Sequence, residues 1–226
     1  TGLLAQQLLS TWQAMDCLPS RYVIVEVSGE LAARQADLLA PWGERVEWWS
    51  SLPSGFTGVV VGNEVLDAMP VELVVKTTDG WLQRGVGCDD AGRWQWHDRP
   101  LPDSGALADA VAQLPADLPL AYVTEIGLAA QAFVTTLAER LHHGLVLLID
   151  YGFGAGEFYH PQRAQGTLMC HYQHRAHTDP FCLLGLQDIT AHVNFSAVAQ
   201  AAVHGGCDWL GYASQAEFLI HGGITQ

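Results

Sequence analysis

Gly58-Val59-Val60-Val61-Gly62-Asn63-Glu64-Val65-Leu66-Asp67-Ala68-Met69-Pro70 is a β-branched run that ends in glycine and turns polar at once. Val59, Val60 and Val61 do not alternate with polar residues, so the pattern predicts a strand buried on both faces, as in a parallel sheet. In open α/β sheets, ligands sit beyond the carboxyl ends of the strands. Asn63, Glu64 and Asp67 therefore stand where chemistry usually happens, although a polar turn capping the next element explains the same residues.

Upstream, Leu4, Leu8, Trp12 and Met15 share one face of a helix over residues 3–15, and Pro19 ends it. Tyr22 to Val27 is a second apolar run, interrupted only by Glu26. Ser28 is the expected N-cap, with Glu30 in the first turn, of a helix presenting Leu31, the Gln35 stem, Leu38 and Leu39. Val46-Glu47-Trp48-Trp49 is a short strand. Strand, helix, strand, strand at this spacing is the rhythm of a doubly wound sheet.

Downstream the period changes. Val71, Leu73 and Val75 alternate with polar neighbours, Asp79-Gly80 signals a two-residue hairpin, and Trp81-Leu82 starts the return strand. Trp94 and Trp96 share a face, so residues 71–97 read as an inserted antiparallel meander. Ser104 is the expected cap of a short helix carrying Leu107, Val111 and Leu114. Ala121 to Ile126 is strand-like or extended. A helix through Ala129, Phe133, Leu137 and Leu141 is expected to end at Gly144. Leu145 to Ile149 then forms the strongest buried-strand pattern, running into Asp150 and Tyr151. Residues 153–193 hold many histidines and little periodicity. Asn194 caps a helix with Phe195, Val198, Ala199 and Ala202. Asp208 to Tyr212 reads as a last strand, and a helix starts over residues 215–221.

Composition bounds the function. The 226 residues are 49% hydrophobic and 15% charged, with a mean hydropathy of +0.13, as in a globular chain with a sizeable core. No apolar run is long enough to cross a bilayer, which excludes membrane insertion by a helix. A formal charge of −14 repels phosphate backbones and suits a cationic partner. Five scattered cysteines without a C-x-x-C pair read as reduced thiols. His171, His174 and His177 form H-x-x-H-x-x-H beside Cys170, Asp179 and Cys182, but no H-E-x-x-H or cysteine pair supports a zinc site. A polar, hydrogen-bonded loop that can line a substrate cleft is the preferred reading of them. No G-x-S-x-G elbow favours a serine hydrolase. Glu26, near the end of its strand, is either a charge emerging into solvent or an acceptor for a vicinal diol.

Three stretches carry a family resemblance: Gly62-Asn63-Glu64-Val65-Leu66-Asp67-Ala68-Met69-Pro70-Val71, then Leu147-Leu148-Ile149-Asp150-Tyr151-Gly152-Phe153, then Gly166-Thr167-Leu168 through His174-Arg175-Ala176-His177-Thr178-Asp179-Pro180 to Gln187-Asp188-Ile189-Thr190-Ala191-His192-Val193-Asn194-Phe195. Together they resemble the MidA-type S-adenosylmethionine-dependent methyltransferases, whose mitochondrial members assist respiratory complex I assembly. The resemblance implies an α/β class I methyltransferase (Rossmann-like) sheet with an inserted antiparallel β meander and a long His-rich loop. The family's first strand and glycine loop are missing before Thr1, so residues 1–226 are expected to be a partial methyltransferase domain with insertions at about 71–120 and 152–193.

The same resemblance implies S-adenosyl-L-methionine as cofactor, with Glu26, Ser28 and Asn63 binding it. Glu64, Asp67 and Asp150 are then the catalytic carboxylates, and Tyr151, His177 and His192 the substrate-binding residues, with no metal. The implied reaction is methylation of a protein side chain, arginine favoured, with a respiratory complex I type subunit as partner and a homodimer as one admissible assembly. The implied place is the bacterial cytoplasm, or the mitochondrial matrix in a eukaryote. Glu26, Glu64 and Asp150 are expected to meet at one rim. The rival is a non-catalytic assembly or chaperone module that keeps the fold and docks through the Trp-bearing meander.

Overall fold

The computed structural model describes residues 2–224 and divides the chain into two compact units, residues 1–56 and 57–226. The first holds helix α1 (Leu3–Ala14), strand β1 (Tyr22–Val25), helix α2 (Gly29–Leu39), a 3-10 segment and strand β2 (Val46–Trp49). β1 and β2 pair in parallel, Tyr22 opposite Val46 and Val25 opposite Trp49. Ser28 caps α2 as expected, its hydroxyl accepting from the Leu31 amide at 3.3 Å. The unit's core is Ala5, Leu9, Leu39 and Val46, with Trp12 and Trp48 packed against it. The expected face of α1 is offset by one position: Leu4 and Met15 are exposed, whereas Ala5 and Leu9 are buried. Small Ala5 allows close approach, which an apolar stripe weighted by large side chains does not reveal. Each fully buried leucine contributes about 1.5–3 kcal/mol.

The second unit opens with β3 (Phe56–Asn63) and continues with β4 (Glu72–Thr77), β5 (Gly80–Cys88) and β6 (Trp94–Pro100). Helix α3 (Ala106–Ala112), β7 (Val123–Ile126), helix α4 (Leu128–Arg140) and β8 (Leu141–Ile149) follow. Then come β9 (Gly152–Phe153), the short α5 (Ala155–Phe158), β10 (Met169–Tyr172), β11 (Arg175–His177), β12 (Asp188–Thr190) and β13 (Val193–Asn194). Helices α6 (Phe195–His204) and α7 (Gln215–His221) complete the described chain.

β3 pairs with β8, and both run the same way: Gly58 lies against Gly144, and the Glu64 amide donates to the Ile149 carbonyl at 2.8 Å. Neither strand is buried on both faces as expected. Val59 is 69% exposed, Val61 42% and Leu145 39%. An apolar run records which residues tolerate burial, whereas packing elements decide which face receives it. Helix α4 also stops earlier than expected, at Arg140, so Gly144 is a strand residue and not a helix cap. Its glycine is required there: a Cβ would sit 1.8 Å from the Gly58 carbonyl oxygen, at φ +145°.

The meander gains a strand. β6-β5-β4-β7 form one antiparallel sheet, so residues 123–126 join the insertion, with Glu72 opposite Ile126. The hairpin turn is Thr78-Asp79, one residue earlier than expected, because Gly80 pairs with Thr77. Ser104 does not cap α3; Gly105 holds that position. Val74, Leu107, Val111, Leu114 and Ile126 form the core between this sheet and α3.

Residues 153–193 are more regular than their periodicity implied. β10, β11 and β12 form a three-stranded antiparallel sheet, and β9 pairs in parallel with β13. Gln173 and His174 turn the β10–β11 hairpin with φ of 47° and 64°. Strands this short carry too few residues for alternation to register. Residues 208–212 are not a strand. Asn194 does cap α6, accepting from the Ala197 amide at 3.3 Å, and α6 packs on α4 within a core of Leu66, Ala130, Val134, Val193, Val198 and Ala201. Among the described residues no helix is long and apolar enough to cross a membrane.

Candidate functional site

In the first unit, the chain leaves β1 at Glu26, whose amide donates to the Trp49 carbonyl at the end of β2. The Glu26 carboxylate is held on both sides. Oε1 accepts from the Ser28 amide at 2.9 Å and Oε2 from Gln35 Nε2 at 3.0 Å. Gln35 is buried, and its Oε1 accepts in turn from the Trp48 indole at 3.0 Å. A carboxylate offers about four acceptor positions. Two are taken here, so each oxygen keeps one for a vicinal diol, and the residues present fit a ribose. Sequence reasoning used Gln35 only for its stem. The missed signal was an amide placed in the buried stripe of an amphipathic helix.

In the second unit, β3 and β8 end side by side and deliver their polar residues together. Asn63 is the last residue of β3 and Glu64 follows with φ +49°, a left-handed conformation for a non-glycine residue. Both are exposed. Asp150, just past β8, reaches across to the turn that Glu64 starts. Its Oδ2 accepts from the amides of Val65, Leu66 and Asp67 at 3.1, 2.9 and 3.3 Å, and its Oδ1 from the Tyr151 amide at 2.9 Å. Burial nonetheless raises its carboxyl above the usual range, helped by the nearby Asp67 and opposed by these amides.

Asp67 is 5% exposed and accepts a short hydrogen bond on Oδ2 from the Tyr151 hydroxyl, while its Oδ1 is buried without a protein partner. Burial, then that bond, push the Tyr151 hydroxyl up to about 12. Tyr151 meets the His192 ring edge-on at 5.6 Å, and Phe153 packs on the same imidazole at 5.4 Å. Desolvation, then the Arg163 charge, lowers the His192 pKa, which favours the neutral ring. His177 sits in β11, opposite Cys170 of β10, with Nε2 buried and without a protein partner.

The structure therefore gathers Asn63, Glu64, Asp67, Asp150, Tyr151 and His192 around the paired ends of β3 and β8. It adds one residue that sequence reasoning passed over. Glu125 of β7 is 3% exposed, and its Oε1 accepts from the Thr167 and Leu168 amides at 2.7 and 3.0 Å. Burial pushes its carboxyl up, against the pull of those two bonds. An acid inside an otherwise uncharged strand was the available signal.

The model of the family described as "Putative S-adenosyl-L-methionine-dependent methyltransferase" matches residues 1–213. The chain is 28% identical over 188 residues to the mitochondrial protein arginine methyltransferase NDUFAF7 homolog of Caenorhabditis elegans, covering 80% of this chain and 42% of that protein. It is 27% identical over 187 residues to Xenopus tropicalis NDUFAF7, a mitochondrial protein arginine methyltransferase, covering 80% and 40%. A crystal structure from Burkholderia thailandensis bound to S-adenosyl-homocysteine superposes with a TM-score of 0.93 at 53% identity, over 100% of this chain and 58% of that one. A native structure of an uncharacterized protein from the same organism gives 0.93 and 53%, over 99% and 60%. The α/β fold is that of these proteins. The chain spans about 40% of the length of the curated relatives and about 60% of the solved ones.

Proposed function

We infer the function from one premise: the chain belongs to the methyltransferase family whose model spans its residues 1–213. The protein is read as part of an S-adenosyl-L-methionine-dependent methyltransferase that modifies a protein side chain, arginine favoured. The observation that carries the reading is a carboxylate fixed at a strand end in each unit: Glu26 after β1, and Asp150 after β8, whose Oδ2 holds the turn that Glu64 starts. The solved relative that binds S-adenosyl-homocysteine supports the choice of methyl donor. The arginine methyltransferase relatives support the choice of acceptor.

When bound, the cofactor supplies an electrophilic methyl on a sulfonium. Glu26 would hold the ribose hydroxyls, with the Ser28 hydroxyl beside it and Asn63 the third cofactor contact. A guanidinium is a planar cation that pairs with carboxylates. Glu64 is the exposed carboxylate of the turn and orients the acceptor nitrogen. After transfer that nitrogen carries one proton too many, which Glu64 takes. Asp67 backs the turn from the buried side, and the Tyr151 hydroxyl donates to it. Asp150 serves as a positioning residue: its two oxygens already bind four amides. Tyr151, His177 and His192 are proposed to line the substrate path. Positioning and desolvation supply most of the rate, since methyl transfer needs little acid-base machinery. The protein partner, as a respiratory complex I type subunit, and a mitochondrial or bacterial cytoplasmic setting belong to the same proposal.

Calorimetry with S-adenosyl-homocysteine tests it. Glu26→Ala should weaken binding about tenfold or more, the loss of a charged hydrogen-bond acceptor. Glu64→Gln should keep binding and lower turnover on an arginine-bearing peptide. Parental behaviour in both variants refutes the assignment. One observation favours a second reading as a non-catalytic docking module: every residue of β6 is exposed, and Trp96 of that strand meets the Phe181 ring edge-on at 5.0 Å. Absence of any cofactor binding would select it.

A further inference from the structure

Gln35 is 6% exposed and stands one turn before Leu39 in the buried stripe of α2, where an apolar side chain is the ordinary choice. An amide in that place is costly unless its hydrogen bonds are met. Both ends of this one are met, each by a group of fixed character. The Trp48 indole only donates, so the atom facing it at 3.0 Å is Gln35 Oε1. Nε2 must then face the other way, and it donates to Glu26 Oε2 at 3.0 Å. Turning the amide over would set a donor against the indole and an acceptor against the carboxylate. The stem is held as well: a Cβ at Gly2, the N-cap of α1, would lie 3.4 Å from Gln35 Cγ. The three residues come from separate parts of the first unit, Glu26 just past β1, Gln35 in α2 and Trp48 in β2. Glu26 itself is only half-buried, unlike the amide that steadies it.

We propose that Gln35 and Trp48 are positioning residues for Glu26. The indole fixes the polarity of the Gln35 amide, and the amide fixes the rotation of the carboxylate. Glu26 is thereby set to distinguish a vicinal diol from a sugar with a single hydroxyl. The inference rests on the reading that Glu26 takes the ribose, and it adds the residues that make that contact selective. With the Ser28 amide on Oε1 and Gln35 on Oε2, each oxygen has one lone pair committed and one left in a set direction. A carboxylate free to rotate can follow a single hydroxyl. One held at both oxygens cannot, so the loss of either ligand hydroxyl leaves an acceptor unmet. Orientation arranged before binding also lowers the ordering cost of binding. Ser28 holds Oε1 with a main-chain group, which no substitution removes cleanly. Gln35 is therefore the side chain through which the carboxylate is loosened without being deleted.

The test is calorimetric titration of the protein with S-adenosyl-homocysteine and with its 2′-deoxy analogue. The parent should bind the ribose compound about tenfold or more tightly than the deoxyribose one. Gln35→Met keeps the length and the apolar stem and removes the amide. It should weaken S-adenosyl-homocysteine about threefold to tenfold, since the carboxylate stays and only its orientation is lost. The deoxy analogue should move little, so the preference narrows. Trp48→Phe keeps an aromatic ring in place and frees the amide to turn over. It should shift the preference in the same direction, and it decides the matter if Gln35→Met does not fold. In a Glu26→Ala background Gln35→Met should add no further loss, because the amide acts through a carboxylate that is gone. A merely structural Gln35 would weaken both ligands alike and cost the same in either background. Equal losses for the two ligands, a further loss in the Glu26→Ala background, or parental discrimination in the variants overturns the proposal. A parent that binds no S-adenosyl-homocysteine sinks the methyltransferase reading and this proposal with it, whereas binding with unchanged discrimination sinks this proposal alone.

Discussion

Tyr151 donates its hydroxyl to Asp67, a carboxylate that is 5% exposed. Tyr151→Phe should therefore lower stability by about 1–3 kcal/mol, the cost of leaving a buried acceptor unmet, measured by urea denaturation at neutral pH. The pH dependence follows from the direction of the shift. The Tyr151 hydroxyl is raised from 10 to about 12 in the folded protein, so its contribution is present in full below pH 10 and is lost as pH rises toward about 12. Tyr22, Tyr122 and Tyr159 are also raised, by burial. The gap between protein and Tyr151→Phe isolates this one group: it should stay constant to pH 10 and narrow above it. Both residues of the pair stood out in the sequence, but they are 84 positions apart and their bond did not. Gln35 and Glu125 went unread for the opposite reason. Each sits inside a pattern that classifies a segment, and the pattern absorbed it.

At the level of elements, local signals were legible. Val46–Trp49 forms β2 as expected, and the Ser28 and Asn194 caps are present, because each depends on a few neighbouring residues. Asn194→Ala should cost about 1 kcal/mol, and thermal denaturation would check it. What failed depended on contact between distant segments. Gly144 looked like a helix cap because a glycine follows an apolar helical pattern, yet its role is set by Gly58, which nothing near it in the chain announces. Gly144→Ala should destabilise by more than about 3 kcal/mol, since a Cβ would collide with backbone and not with a side chain that can swing away. Stability of this variant within 1 kcal/mol of the parent, an order-of-magnitude bound for a tolerated substitution, would refute the β3–β8 contact.

For the whole molecule, 24 acidic against 10 basic residues give a charge of −14. Capture of a cationic substrate should then weaken with salt, through a slower association rate. KM for a basic peptide should rise several-fold between about 50 and 500 mM salt, while the affinity for S-adenosyl-homocysteine moves little. A flat KM would remove long-range charge from the account. The α/β class and the family were readable from three motifs spread along the chain, whereas the burial of each strand was not, because it depends on what packs against it. One structural feature reaches further. β3 and β8 are fastened at one end where Gly58 meets Gly144, and at the other where Glu64 bonds Ile149 and Asp150 grips the next three amides. Two rails pinned at both ends travel as a single plank. Accommodation of differently shaped guests at their tips must come from rotation of the Asn63 and Glu64 side chains, not from backbone excursion.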